Sequence, residues 1–449
     1  MSKTDEKLRV NADPAKSFFV SMLIKDITLR DAIGDLVDNA VDAIKASAKD
    51  KNNLSNHKVV VELKENEFTI SDNGQGMSTE IARTTAFNFG KSAEHKLIEN
   101  SIGQFGIGMK RAFFKIGSKI AVHSVTSNSL FDIDIDVPQW LSKKEWEFSF
   151  KEDTLQENVP QSENSGFFVK LTNLSDDAKT SFANMQFINQ LQKEIEYEHM
   201  LNIGKGLEIT INNYKLRPTN IDLVCNDNIK PTFWEKSSDD LSVKIMAGIS
   251  SKNDEEGGWY VFCNDRLILA KDKSANTVWT GRQGDGVPLW HAQYHRFRGF
   301  VFFEAKDSSN LPWNTTKTGM DMDSPVYQKV RSQMIIMTKQ VMDLMDKLKS
   351  EKEKDNPVEE QKLNNAVELA LKSDKVPVLQ LRAKYDAYQL QDRFIYPEAL
   401  YSPAGKGNQI NIQYFVPKDL FQKVKSLLKV KSGKEVGMAT FDYYCENEL

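Results

Sequence analysis

The chain has only three cysteines, Cys225, Cys263 and Cys445, too far apart to form a disulfide framework or a zinc site. Cysteine usage of this kind fits a reducing cytosol, and a cytoplasmic location is expected. No apolar run reaches the length of a membrane span. The opening stretch, MSKTDEKLRVNADPAK, is polar and lacks a signal-peptide core, so no membrane is expected among the partners. Excess charge of one sign is also missing. With 59 Lys and Arg against 63 Asp and Glu, the net charge is −4, which gives no general attraction to nucleic acid. Any such binding has to come from a local patch. There is no internal repeat at solenoid periods. What is present is ordinary globular composition, 40% hydrophobic and 27% charged. At 449 residues the chain is too long for one core, and two or three domains are expected.

One stretch organises the rest. Asp31 to Ala46, DAIGDLVDNAVDAIKA, splits into two faces when wound at helical pitch. Ile33, Leu36, Val37, Ala40, Val41 and Ile44 form an apolar arc, and Asp31, Asp35, Asp38, Asn39 and Asp42 form the other face. Asp35 and Asn39 stand one turn apart. A carboxylate beside a carboxamide can take a proton from water and offer oxygen to a hard cation such as Mg²⁺. The same pattern also describes an acidic, solvated face on a core-packing helix.

Two strands, Val59 to Leu63 and Glu67 to Ile70, follow a charged loop and lead into Ser71-Asp72-Asn73-Gly74-Gln75-Gly76-Met77. This reads either as a hairpin turn or as a buried aspartate that recognises an amino group, with glycines that let a ligand approach the backbone. Farther on, Asn88 to Gly117 contains a polar loop and then Gly103-Gln104-Phe105-Gly106-Ile107-Gly108-Met109-Lys110, opening a helix. It is neither a P-loop nor the Rossmann fingerprint. Close glycines before a helix nevertheless present backbone N–H groups to an anion, and Lys110 would add a point charge for phosphate.

Together these three segments resemble the GHKL ATPase superfamily, which includes gyrase B, the heat-shock-ninety chaperones, histidine kinases, MutL and the MORC proteins. Asp35 to Ala43 matches its N-box, Asp72 to Gly76 its Asp-x-Gly-x-Gly box, and Gly103 to Gly108 its lid glycines. The lid, IGQFGIGMK with Ser92 and Lys96 upstream, looks closest to MORC-like members. The resemblance implies ATP and Mg²⁺ as cofactors. Asp35 would orient the attacking water, Asn39 would ligate Mg²⁺, and Asp72 would accept from the adenine amino group. Ala43, Gly74, Gly76, Met77 and Ser92 join the binding set, and the backbone from Gly103 to Lys110 would cradle the phosphates. Two positions depart from the family. Asp35 stands where the usual base is a glutamate, and Gly166 is followed by Phe167 where Gly-Thr is frequent. A histidine kinase is not expected, since no helical segment with a phosphoacceptor histidine precedes the site.

The chain continues with a strand at Phe167 to Leu171, a helix at Ala183 to Leu201, a strand at Leu207 to Asn212 and a boundary near Asn220 to Lys230. The next block is strand-rich, with Val243 to Ile249, a hairpin at Trp259 to Ala270 turned by Asn264-Asp265, and Phe300 to Ala305. The loop Asn310 to Gly319 carries Lys317 near its tip. This block resembles the transducer domain of MutL, MORC and type II topoisomerases, in which a loop lysine reaches the γ-phosphate, and Lys317 is the matching residue. From Asp323-Ser324-Pro325 a helix starts, with apolar residues from Val330 to Leu348 in four-three alternation. It is expected to pack on the transducer sheet, with a short coiled coil as the alternative. After a charged linker from Ser350 to Glu360, Leu363 to Leu371 reads as a helix. Gln409 to Val416 then reads as a strand, with helices from Pro417 to about Lys429 and Lys434 to about Tyr444. This tail reads either as a ribbon-helix-helix unit or as a small docking appendage.

The expected fold is therefore α+β. A GHKL (Bergerat) α/β sandwich occupies residues 1–222, and an S5-like α/β transducer ending in a long helix occupies 223–352. A linker and a small α/β appendage follow over 353–449. The expected activity is slow ATP hydrolysis, with ATP binding driving a homodimer to close as a clamp on DNA in genome maintenance or defence against foreign DNA. The alternative is an ATP-gated scaffold or chaperone for a protein partner without DNA contact.

Overall fold

The computed structural model describes residues 15–89, 102, 106–161, 164–281, 286–314, 316–352, 361–401 and 415–448. The chain divides into a unit spanning Met1–Tyr401 and a second spanning Ser402–Leu449.

In the first unit, α1 (Lys16–Lys25) is followed by α2 (Leu29–Ser47). Thr28 starts α2 with a reciprocal cap, its hydroxyl accepting from the Asp31 N–H while the Asp31 carboxylate accepts from the Thr28 N–H. The apolar arc is buried, but so are Asp35, Asp38 and Asp42. The acidic side is thus covered, not a solvated face, because elements from distant parts of the chain close over it.

The strands β1 (Lys58–Lys64) and β2 (Glu67–Asp72) form a hairpin, and α3 (Gly108–Ile116) runs directly into β3 (Gly117–Val125). Then come β4 (Ser129–Asp136), α4 (Val137–Ser142), β5 (Gln156–Glu157) and β6 (Gly166–Leu174). After α5 (Asp176–Phe182), the single helix expected from Ala183 to Leu201 is two, α6 (Met185–Glu198) and α7 (Met200–Gly204). The break at His199 places this residue, fully buried, against α2. With β7 (Glu208–Ile211) and β8 (Tyr214–Lys215), an eight-stranded sheet forms in the order β5-β4-β3-β6-β2-β1-β7-β8. Its β1–β7 pair is parallel.

The segment Asn220 to Lys230, expected as a boundary, holds β9 (Asp222–Val224). A second sheet then combines β10 (Thr232–Ser237), β11 (Leu241–Ile249), β12 (Gly258–Cys263), β13 (Arg266–Asp272) and β14 (Phe297–Ala305) in the order β10-β11-β14-β12-β13. The β12–β13 turn has Asn264 and Asp265 at φ 47° and 67°, the left-handed pair that a tight hairpin requires. Every residue of β12 is buried, since the sheet is covered on both faces. In-register pairs such as Phe262 with Phe302 stack at 5.1 Å.

The long helix α8 (Pro325–Lys352) contributes Met334, Met337, Val341, Leu344 and Leu348 to the core shared with this sheet. At its end, the buried Glu351 accepts from the N–H groups of Leu363 and Asn364, capping α9 (Lys362–Ser373). Residues 353–360 of the expected linker lie outside the described residues. The chain then returns through β15 (Lys375–Pro377), paired with β9, and α10 (Val378–Ala383).

In the second unit, α11 (Lys418–Leu428) ends where Lys429 turns left-handed at φ 56°, and α12 is Gly433–Glu448. Of the expected strand Gln409 to Val416, residues 409–414 lie outside the described residues, while Phe415 and Val416 are exposed and not in a strand. Among the described residues, no helix is long and apolar enough to cross a membrane.

Candidate functional site

The Asp-x-Gly-x-Gly box sits where β2 ends. Pairing of β2 with β6 puts Asp72 opposite Phe167, and pairing of β6 with β3 puts Phe167 opposite Ser124. One Asp72 oxygen accepts from the Gly74 N–H at 2.8 Å, and the other meets no donor among the described residues. Burial pushes the Asp72 carboxyl up to about 7, against the lowering effect of that bond.

The glycines work by backbone contact. A Cβ on Gly74 would stand 2.7 Å from the carbonyl carbon of Ala43, and the adjacent Gln75 N–H donates to the Ala43 oxygen at 3.3 Å. Gly76, at φ 70°, leaves only 2.0 Å between such a Cβ and the Val125 oxygen. Met77 is fixed through its main chain, which both donates to and accepts from the fully buried Ser124 hydroxyl. A cavity of about 1000 Å³ opens here, lined by Asp72, Gly74 and Gly76 together with Ser47, His57 and Phe167. Phe167 offers no hydroxyl at the position where the family often has threonine.

A second cluster lies on the covered side of α2. Arg111 on α3 donates to Asp35 Oδ2 from Nη2 at 2.6 Å and Nε at 2.8 Å. Lys317, from the loop after β14, places Nζ 3.2 Å from Asp35 Oδ1 and 2.7 Å from Asp38 Oδ2. Arg266 Nε reaches both Asp38 oxygens, at 2.8 and 3.0 Å. His199 Nε2 is 3.3 Å from Asp38 Oδ1, and Glu198 is 3.2 Å from Arg266 Nη2.

Burial by itself would raise the Asp38 carboxyl, but Arg266 and Lys317 outweigh it and hold Asp38 well below the usual carboxylate range. Burial would likewise lower the Lys317 ammonium, and Asp38 and Asp35 reverse this so that it is raised. Glu198 is pushed up to about 7 by burial in spite of Arg266, and burial lowers His199.

The remaining expected residues are placed as follows. Asn39 is half-buried, one turn from Asp35, and its carboxamide makes no hydrogen bond to a described residue. An uncommitted oxygen at that point fits a Mg²⁺ ligand. Gly106 has φ 66°, Ile107 precedes α3, and Met109 packs against the core. Gly108 is the first residue of α3, where a Cβ would lie 3.3 Å from Asp35 Oδ2. Lys110 is buried, and its ammonium donates to the carbonyls of Ala86 at 2.7 Å, Asn88 at 2.6 Å and Gly106. Burial lowers it to about 8. In this arrangement Lys110 staples the base of the loop and does not line the cavity. Ser92, Gly103, Gln104 and Phe105 lie outside the described residues.

Sequence reasoning missed Arg111, Arg266, His199 and Ser124. Arg111 directly follows Lys110 and precedes the apolar run Ala112-Phe113-Phe114, and its place beside an expected phosphate-binding lysine was the available signal. The others carry no local mark.

Residues 27–165 match the family model described as "Histidine kinase-, DNA gyrase B-, and HSP90-like ATPase". These residues form a GHKL ATPase domain, which supports ATP binding. No curated protein matches the chain.

Proposed function

We propose that the protein is a slow, Mg²⁺-dependent ATPase of MORC-like type whose nucleotide closes a homodimer as a clamp on DNA. The observation that carries this reading is Lys317, which crosses from the loop after β14 to within 3.2 Å of Asp35 on α2. A cation from one sheet's loop set beside the expected water-orienting carboxylate of another couples the two parts of the unit. Asp72, with its open oxygen, would accept from the adenine amino group, and Asn39 would hold Mg²⁺. The metal would neutralise phosphate charge and align the leaving group. Asp35 would orient water once Lys317 turns to the γ-phosphate, and Arg111 would keep Asp35 in place. Positioning and charge stabilisation would then account for most of the rate enhancement.

Contact with DNA needs a local basic patch, because the net charge is −4. The second unit supports one, with Lys418, Lys423 and Lys425 on α11 and Lys429, Lys431 and Lys434 around the following turn. The test is Lys317→Ala in the full chain. ATP affinity should stay within about threefold, turnover should fall by about 100-fold or more, and light scattering should show weaker dimerisation with a non-hydrolysable analogue. Turnover at the parent rate would reject the role of Lys317. A labelled duplex whose mobility does not change at low salt would favour the protein-scaffold alternative.

A further inference from the structure

Lys317 is shared between two carboxylates, and each has another cation. Asp38 keeps Arg266 on both oxygens, and Asp35 keeps Arg111 on Oδ2. All five side chains are buried or nearly so. A buried carboxylate left alone is costly, so a cation can depart only where another remains. Lys317 meets that condition at both of its contacts, whereas removing either guanidinium would leave one carboxylate dependent on the ammonium. Arg266 Nη1 also donates to the Lys317 carbonyl at 3.2 Å, holding the loop backbone while the side chain is free to change partner. The cluster thus sets three cationic side chains, Arg111, Arg266 and Lys317, against the carboxylates of Asp35 and Asp38, with Glu198 beside Arg266 pushed up to about 7 by burial. Such a set is suited to receive a further anion.

We propose that Asp38 is a positioning residue that holds Lys317 in the nucleotide-free protein and so sets the preference for a nucleoside triphosphate over a diphosphate. The proposal rests on the assignment of Lys317 to the γ-phosphate. A triphosphate has to draw the ammonium from Asp38, giving up a buried 2.7 Å contact for a more highly charged partner. A diphosphate lacks that group and leaves the pair intact. Asp38 therefore weakens triphosphate binding selectively and divides the loop between two discrete arrangements, ammonium on carboxylate or ammonium on phosphate. Its place on α2 brings this about, one residue before Asn39 and three after Asp35.

The experiment measures dissociation constants of ADP and of a non-hydrolysable ATP analogue by calorimetry on the full-length protein. Asp38→Asn should bind the analogue about 5- to 50-fold more tightly, with ADP within about twofold of the parent. Arg266→Gln leaves Asp38 more dependent on Lys317 and should shift the ratio the other way, weakening the analogue severalfold relative to ADP. This opposite sign also keeps the proposal open to refutation if one variant does not fold. In a Lys317→Ala background, Asp38→Asn should change neither constant. An analogue-to-ADP ratio unmoved by Asp38→Asn or by Arg266→Gln, or moved equally without Lys317, overturns the proposal. If Lys317→Ala lowers turnover about 100-fold while Asp38→Asn leaves the ratio unmoved, only the role of Asp38 fails. If Lys317→Ala leaves turnover at the parent rate, the γ-phosphate assignment fails and the proposal with it.

Discussion

Replacing Asp72 by asparagine should stabilise the nucleotide-free protein at alkaline pH while removing its ability to bind ATP. Burial holds the Asp72 carboxyl at about 7, against an ordinary value of 3.8. The group is therefore protonated in the folded state and ionised in the unfolded state over the interval between those values, so folding takes up a proton. Stability from this group is complete below pH 4, declines as pH rises towards 7, and is lost above it. A difference of about 3 units is worth at most about 4 kcal/mol, and access from the cavity reduces the realised value to roughly 1–3 kcal/mol. Asn does not ionise, so Asp72→Asn should melt a few degrees higher than the parent at pH 8 and at the same temperature near pH 4. The same ionisation governs binding, because an adenine amino group favours the charged carboxylate. Parental ATP affinity should fall by up to about tenfold per pH unit below 7, and Asp72→Asn should lose both the affinity and the pH dependence. Thermal melts from pH 4 to 8 beside calorimetric titrations would measure both effects. A variant that melts lower than the parent at pH 8, or parental affinity that is flat from pH 5 to 8, would refute the reasoning.

Asp35→Asn should abolish turnover, a loss of about 10²–10⁴-fold in a steady-state phosphate-release assay, while nucleotide still binds. Asp35→Glu, which restores the missing methylene, should raise turnover. Gly76→Ala should lower the melting temperature sharply, by the equivalent of about 2–3 kcal/mol or more, because a methyl would collide with the Val125 oxygen from a left-handed backbone. Truncation after Gly405 should weaken duplex binding in a mobility-shift assay and spare ATP hydrolysis. Unchanged DNA binding would exclude the tail as the contact.

Local chemistry made much of the framework legible. The capped amphipathic α2, the β1–β2 hairpin, the Asn264-Asp265 turn and the long helix after Pro325 all follow from patterns spanning a few turns or a single hairpin. The glycines of the Asp72 box were legible as a place of close approach, although here their approach is to the backbone of Ala43 and Val125 as much as to any ligand. Local pattern could not say whether the acidic side of α2 faces water. That depended on Arg111, Arg266 and Lys317, which lie 76, 228 and 279 or more positions along the chain from the carboxylates they meet. A lysine near a loop tip and an arginine after a tight turn look solvated when read alone, since nothing within one helical turn or one hairpin reveals their partners. The packing of β13 against α6 and α7 brings them beside α2, so desolvation and pairing, and with them the protonation of Asp38 and Lys317, were decided by tertiary structure.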